Sequence, residues 1–205
     1  MLFPLYGRRQ GVRLALGLHP LEVARVELRE EISLFESYAA HTSYIGEIGL
    51  DFSSEGRQSR TTQEAVFTSL LAVDGLGDKI LSVHSRSASE LTIRRLVDAR
   101  ARRVIMHWFS GSIRDAEAAL DAGFYFSINP RMAQSKRGRG IVASIPHDRV
   151  LLESDGPYAR IGRRNAEPVD VLRAADYLSN AWATPLTEVL AKLSSNFRQL
   201  CSGLP

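Results

Sequence analysis

Residues 80–107 read ILSVHSRSASELTIRRLVDARARRVIMH, and this stretch decides the fold. Two short apolar runs, Ile80–Val83 and Val104–Met106, each close on a histidine, His84 and His107. One helix-length segment separates them. Ser89 is its expected N-cap, and Leu91, Leu96 and Val97 are its apolar positions. Runs this short, continuous and separated by a helix read as parallel strands buried on both faces.

The same unit repeats outward in both directions. Upstream, Leu14–Leu18 is a compact apolar run ending at His19-Pro20, and Tyr44–Ile48 is another, containing Glu47. A helical period through Val23, Val26, Ile32 and Phe35 separates them, and Val66, Leu70, Val73 and Leu76 form a later helix stripe. Downstream, Ser112-x-x-Asp115 is a capping-box variant opening a helix for which Gly123 is a fitting stop. Phe124–Ile128 reads as a strand, and Val150–Leu152 runs into Glu153 and Asp155. Helices are expected over roughly 168–181 and 185–194, with a short one capped by Asn196.

The result is six strand-like runs, each followed by a helix or helical turn, at a repeat of roughly 25–30 residues. The fold class is α/β, a TIM-barrel-like (β/α) arrangement with about six of eight units. Five runs end on an ionisable residue: His19, Glu47, His84, His107 and Asp155. In a β/α barrel the C-terminal strand ends carry the chemistry. Two imidazoles and two carboxylates suit a divalent ion such as Zn²⁺ or Mn²⁺. Glu47 could bridge two ions, and Asp155 could bind one or take a proton from an attacking water. His41 and His147 lack this register and read as surface residues, and Trp108 and Phe109 read as packing.

Composition sets the outer bounds. The chain has 205 residues, is 44% hydrophobic and 24% charged, and carries one cysteine, Cys201. That describes a globular protein with a core and excludes a disulfide framework or a cysteine-based zinc site. No apolar run approaches the ~20 residues that cross a bilayer. The Arg8-Arg9 pair precedes an apolar stretch interrupted by Arg13, which is not a signal-peptide core, so the cytoplasm is expected. The net charge of +3 hides an asymmetry: residues 21–64 carry −5 and residues 94–164 carry +7. Arg131, Lys136, Arg137 and Arg139 follow one strand, and Arg160, Arg163 and Arg164 follow the next. These loops, with Arg86 beside His84, are candidates for holding a phosphate.

Five segments together resemble the successive signatures of the TatD-type metal-dependent deoxyribonucleases. They are Gly17-Leu18-His19-Pro20, Ile45–Asp51, His84-Ser85-Arg86, His107–Ser112 and Leu152–Tyr158, in that order. The wording His-Trp-Phe-Ser-Gly, Asp-Gly-Pro-Tyr-Ala-Arg and Asn-Phe-Arg is most similar to the TatD-like component of Qat anti-phage defence systems. The resemblance implies hydrolysis of DNA phosphodiesters with Mg²⁺, Mn²⁺ or Zn²⁺. DNA and other Qat-type proteins would be the partners, and no membrane. It makes Glu47 the bridging ligand, puts His84 and His107 on one metal and Asp155 on the other, and sets His19 beside the scissile phosphate. The family's opening His-x-His strand has no counterpart. The resemblance covers residues 12–205 and leaves 1–11 unmatched. One metal site is then whole and the second short of ligands. A fragment or misplaced start, a degenerate binding subunit, and completion by a partner are the competing explanations. Hydrolysis of a small molecule or nucleobase-derived substrate is the alternative activity.

Overall fold

The computed structural model describes residues 11–204; the expected unmatched segment lies almost wholly outside them. The strands of the main sheet, β1 (Tyr44–Gly49), β2 (Ile80–His84), β3 (Arg103–Met106), β4 (Tyr125–Ile128) and β5 (Val150–Leu152), follow chain order. The sixth expected run is reduced to a parallel bridge between Leu16 and Ile45. The chain divides into two compact units, one running to Ile105 and including Gly203, the other Met106–Ser202.

In the first unit β1 and β2 pair in parallel, and helices α1 (Leu28–Ala39), α2 (Arg60–Leu71) and α3 (Ser89–Asp98) follow the strand-like runs. Ile45, Ile48, Leu81 and Val83 are wholly or almost wholly buried, as continuous apolar strands must be when helices cover a sheet. Phe35 of α1, Val66, Phe67 and Leu70 of α2, and Ile93 and Leu96 of α3 supply the helical side of this core. α2 is shorter than its stripe predicts. It stops at Leu71, and Gly75, at φ +72°, turns the chain so that Leu76 is buried from a separate 3₁₀ turn. α1 likewise begins only at Leu28, so Val23 is buried from the turns before it. Ser89 is the first helical residue of α3, not its cap; Ala88 holds that position without a side-chain bond.

In the second unit β4 and β5 pair in parallel with Phe126 opposite Val150. All four residues of β4 are buried, and Phe126 meets Phe109 edge to face at 5.3 Å, so Phe109 is packing as expected. Ser112 and Asp115 form the expected reciprocal cap on α4 (Ile113–Asp121), and Gly123 follows its end at φ +81°. Helices α5 (Pro130–Gln134), α6 (Lys136–Ser144), α7 (Val171–Ala181) and α8 (Leu186–Cys201) complete the unit, with a small hairpin of β6 (Arg160–Ile161) and β7 (Arg164–Asn165). The expected break at Asn196 is absent. Its buried amide donates to the carbonyls of His147 (2.7 Å) and Val150 (2.8 Å), tying one continuous α8 to the start of β5. No helix among the described residues is long and apolar enough to cross a membrane.

Candidate metal and active-site residues

The first unit presents Glu47 through an irregular strand. Ile45 faces Leu81 and Ile48 faces Val83, so β1 spends one residue more than β2 between these pairs. The extra residue breaks the alternation at Gly46-Glu47, and such a bulge re-aims a side chain. Gly49 is paired with His84, and a Cβ there would stand 2.0 Å from the His84 carbonyl, at φ +135°. Only glycine lets β1 approach β2 this closely beside the two candidate ligands.

His84 is held from both sides. Its Nδ1 lies 3.0 Å from Glu47 Oε1 and its Nε2 lies 2.9 Å from Asp51 Oδ2. Asp51 is fully buried and also accepts the Ser53 amide at 2.9 Å. Burial alone would raise the Asp51 pKa, but the hydrogen bonds from His84 and Ser53 prevail and lower it to about 2. Burial likewise pushes His84 down, yet its bonds to Asp51 and Glu47 outweigh this and hold its pKa above the ordinary histidine value. Asp51 and Glu47 thus take one ring nitrogen each, and an ion replacing the proton between Nδ1 and Glu47 would leave Nε2 held by Asp51. A carboxylate fixing one ring nitrogen so that the other can ligate is the usual outer arrangement of a metal-binding histidine.

His19 joins this group. Single ligand atoms from His19, Glu47 and His84 lie within 4.8 Å of one another. Ligand atoms on one ion at ~2.1 Å stand at most ~4.2 Å apart, so a modest contraction would let the trio share an ion. The rings of His19 and His84 meet edge to face at 4.8 Å. His19 Nδ1, however, accepts the Leu21 amide at 3.2 Å, and its Nε2 points to Glu47 Oε2 at 3.9 Å. Burial lowers its pKa, with Glu47 opposing; because Nδ1 accepts from Leu21, the neutral ring carries its proton on Nε2. His19 is thereby set as a hydrogen-bond donor, and Glu47 with His84 is the stronger ligand pair.

The second unit repeats the device. His107 Nδ1 is 2.6 Å from Glu153 Oε2, and its Nε2 is 3.3 Å from Asp155 Oδ1. Glu153 is saturated: it also accepts the Trp108 amide (3.0 Å), the Asn129 amide (2.9 Å) and the Ser127 hydroxyl. A carboxylate with four donors has no lone pair to spare, so it orients His107, and Asp155 is the outward group. Trp108 and Asp155 both have left-handed backbone, at φ +35° and +51°. Non-glycine residues held there mark positions where geometry outweighs local cost.

The structure thus brings His19, Glu47 and His84 together in one unit and His107 with Asp155 in the other. Sequence reading missed Asp51 and Glu153 as the groups that orient the histidines. Both stand in the quoted motifs, but one ionisable residue per strand end was the signal followed. The arginines are more engaged than expected. Arg86 lies 3.5 Å from Glu55 and 4.0 Å from Asp51. Arg137 donates to the carbonyls of Ser110 and Gly111, pinning the loop after His107. Arg131 bonds Gln134, and Arg160 bonds the Arg163 carbonyl across the hairpin turn. His41 and His147 are exposed, as expected; His147 stacks on Trp182 at 3.9 Å.

Parallel β/α units with carboxylate–histidine pairs at the strand ends define a hydrolase of the β/α metallohydrolase class. The model for the family described as TatD related DNase matches residues 5–202, and the chain belongs to that family. It is 30% identical to the "Putative deoxyribonuclease tatdn3" of Danio rerio over 201 residues, 92% of this chain and 75% of that one. The "Deoxyribonuclease TATDN3" of Homo sapiens is 28% identical, with 93% and 72% covered. The "Uncharacterized metal-dependent hydrolase YabD" of Bacillus subtilis is also 28% identical, with 91% and 76% covered. Among solved structures, the TatD homologue YjjV of Escherichia coli superposes with a TM-score of 0.84 at 24% identity, over 97% of this chain and 80% of that one. A TatD-family hydrolase from Entamoeba histolytica gives 0.80 at 19%, over 97% and 78%.

Proposed function

We propose that the protein is a divalent-metal-dependent nuclease that hydrolyses DNA phosphodiester bonds. The observation that carries this reading is His84 held at Nε2 by buried Asp51 with its Nδ1 set 3.0 Å from Glu47. The family membership and the deoxyribonuclease names of the relatives support the substrate.

The donor set, neutral imidazole with carboxylate, suits Mg²⁺, Mn²⁺ or Zn²⁺. Glu47 with His84 would hold an ion in the first unit, and His107 with Asp155 one in the second. A bound ion lowers the pKa of its water and polarises a phosphoryl oxygen. The chain's own groups do the rest. Asp51 and Glu153 each hold one ring nitrogen of a histidine and so turn the other towards Glu47 and Asp155. Asp155 accepts the proton of the attacking water. His19, proton on Nε2, donates to a phosphate oxygen. Arg86, Arg131, Arg160 and Arg163 attract the polyanion, and Arg137 acts through the loop it pins. The motif wording supports a place in Qat-type anti-phage defence, with other Qat proteins as partners.

The test is metal analysis combined with cleavage of end-labelled DNA. Bound metal, with cleavage abolished in Glu47→Gln and His84→Ala, is the expected result. Bound metal with hydrolysis of small esters and no DNA cleavage would replace the substrate. DNA binding without metal or cleavage would make the chain a binding subunit.

A further inference from the structure

Tyr158 stands three residues after Asp155 with 85% of its surface in water, the most exposed large hydrophobic side chain described. It has no hydrogen bond or ring contact among the described residues, so folding does not explain an aromatic ring there. The segment beneath it is nevertheless closely hydrogen-bonded. The Ala159 amide donates to the Asp155 carbonyl at 2.7 Å, and the Ala166 amide to the Ala159 carbonyl at 2.8 Å. A Cβ on Gly156 would lie 2.1 Å from the Ala166 carbonyl, so the two ends of the segment are in close contact. Arg164 forks onto buried Asp170 with two bonds of 2.7 Å, and Arg173 and the Glu167 amide complete that carboxylate's shell.

Exposed basic side chains follow the ring closely along the chain. Arg164 is consumed by Asp170, but Arg160 and Arg163 stay exposed on the hairpin, and the Arg163 guanidinium has no ion pair among the described residues. β6 packs against α5, which adds exposed Arg131. An exposed ring two residues ahead of a hairpin that carries exposed guanidinium groups matches the chemistry of an unpaired nucleobase with its adjacent phosphates. Base–aromatic stacking tolerates any base, and the guanidinium groups track the backbone. A pre-ordered platform also loses little entropy on binding.

We infer that Tyr158 is a base-stacking platform, with Arg160 and Arg163 gripping the adjacent phosphates, so that the protein engages an unpaired nucleotide beside Asp155. The inference rests on the nuclease reading and goes beyond it by naming the residue that selects unpaired over paired ends. A paired base has both faces covered and cannot take the ring.

The test is fluorescence anisotropy with a labelled single-stranded oligonucleotide, measured with divalent ion present and with EDTA. The same oligonucleotide made wholly abasic and a blunt duplex are the comparison probes. Tyr158→Ala is expected to weaken binding to the single strand at least ten-fold, within the roughly 5- to 150-fold that stacking contributes per base. Tyr158→Phe keeps the ring and should restore it. On the abasic strand and the duplex the three proteins should bind alike. In cleavage, Tyr158→Ala should raise KM far more than it lowers kcat. Equal binding of the natural strand by Tyr158→Ala and the parent overturns the platform, as does an equal loss on the abasic strand. A parent protein that binds no nucleic acid in either condition overturns the nuclease reading with it.

Discussion

Glu153→Gln separates the orienting role of Glu153 from its shape. The side chain keeps its size, but one oxygen becomes an NH₂ group. If the NH₂ replaces Oε1 it faces the Trp108 amide and the Asn129 NH₂. Neither can yield, because Asn129 Oδ1 is committed to the Arg131 and Met132 amides and fixes that side chain's orientation. If the NH₂ replaces Oε2 it faces the Ser127 hydroxyl and His107 Nδ1. The hydroxyl can rotate to accept, and His107 can accept only by moving its proton to Nε2. The second arrangement is therefore cheaper. It sacrifices about one charge-assisted hydrogen bond, ~2 kcal/mol, or a fall in Tm of roughly 4–8 °C for a chain this long. The proton on Nε2 then faces Asp155 and removes the ligating lone pair. Outer partners of this kind are worth roughly 10- to 100-fold in metal affinity. Calorimetric metal titration and ¹⁵N NMR of the histidine ring read both consequences. Unchanged affinity with Nδ1 still protonated would refute the reasoning.

Other consequences follow from the same contacts. Gly49→Ala should cost more stability than a typical surface change and weaken metal binding in the first unit, because its methyl would meet the His84 carbonyl; thermal melts and metal titration of the variant check this. Asn196→Ala should cost about 2–4 kcal/mol in a denaturant titration by leaving the carbonyls of His147 and Val150 without their donor. For pH, Asp51 ordinarily titrates at 3.8 and is lowered to about 2, so its contribution is complete above ~4 and lost as pH falls towards 2. Asp170 is depressed in the same sense, by its bonds to Arg164, so it reinforces that acid loss. Asp51→Asn should flatten the stability-against-pH curve in that window. The raised His84 acts in the opposite direction: in metal-free protein its contribution is complete below 6.5 and disappears as pH rises through its folded pKa.

The alternation of strands and helices was legible because period and position agree. It needs no tertiary information, but the ionisable residues are placed less regularly, with Glu47 inside β1 and Asp155 three residues beyond β5. The partners of those residues were not legible by the same rule. Asp51 lies beyond the glycine that ends β1, and Glu153 precedes the outward Asp155, so neither is singled out by counting to the strand end. Gly46 inside a strand was the available signal for the bulge that aims Glu47. Where helices differed from expectation, tertiary contacts decided. Asn196 serves two carbonyls instead of capping, and Leu76 is buried from a turn that a helical stripe had absorbed. Arg137 reads as a phosphate contact by charge, but its guanidinium is spent on the Ser110 and Gly111 carbonyls.

The most direct measurement is cleavage of a labelled DNA strand by EDTA-stripped protein as divalent ion is returned, with His84→Ala in parallel. The account predicts no cleavage without the ion, saturable recovery with it, and no recovery in His84→Ala. Cleavage that ignores EDTA, or that His84→Ala retains at the parent's rate, would contradict it.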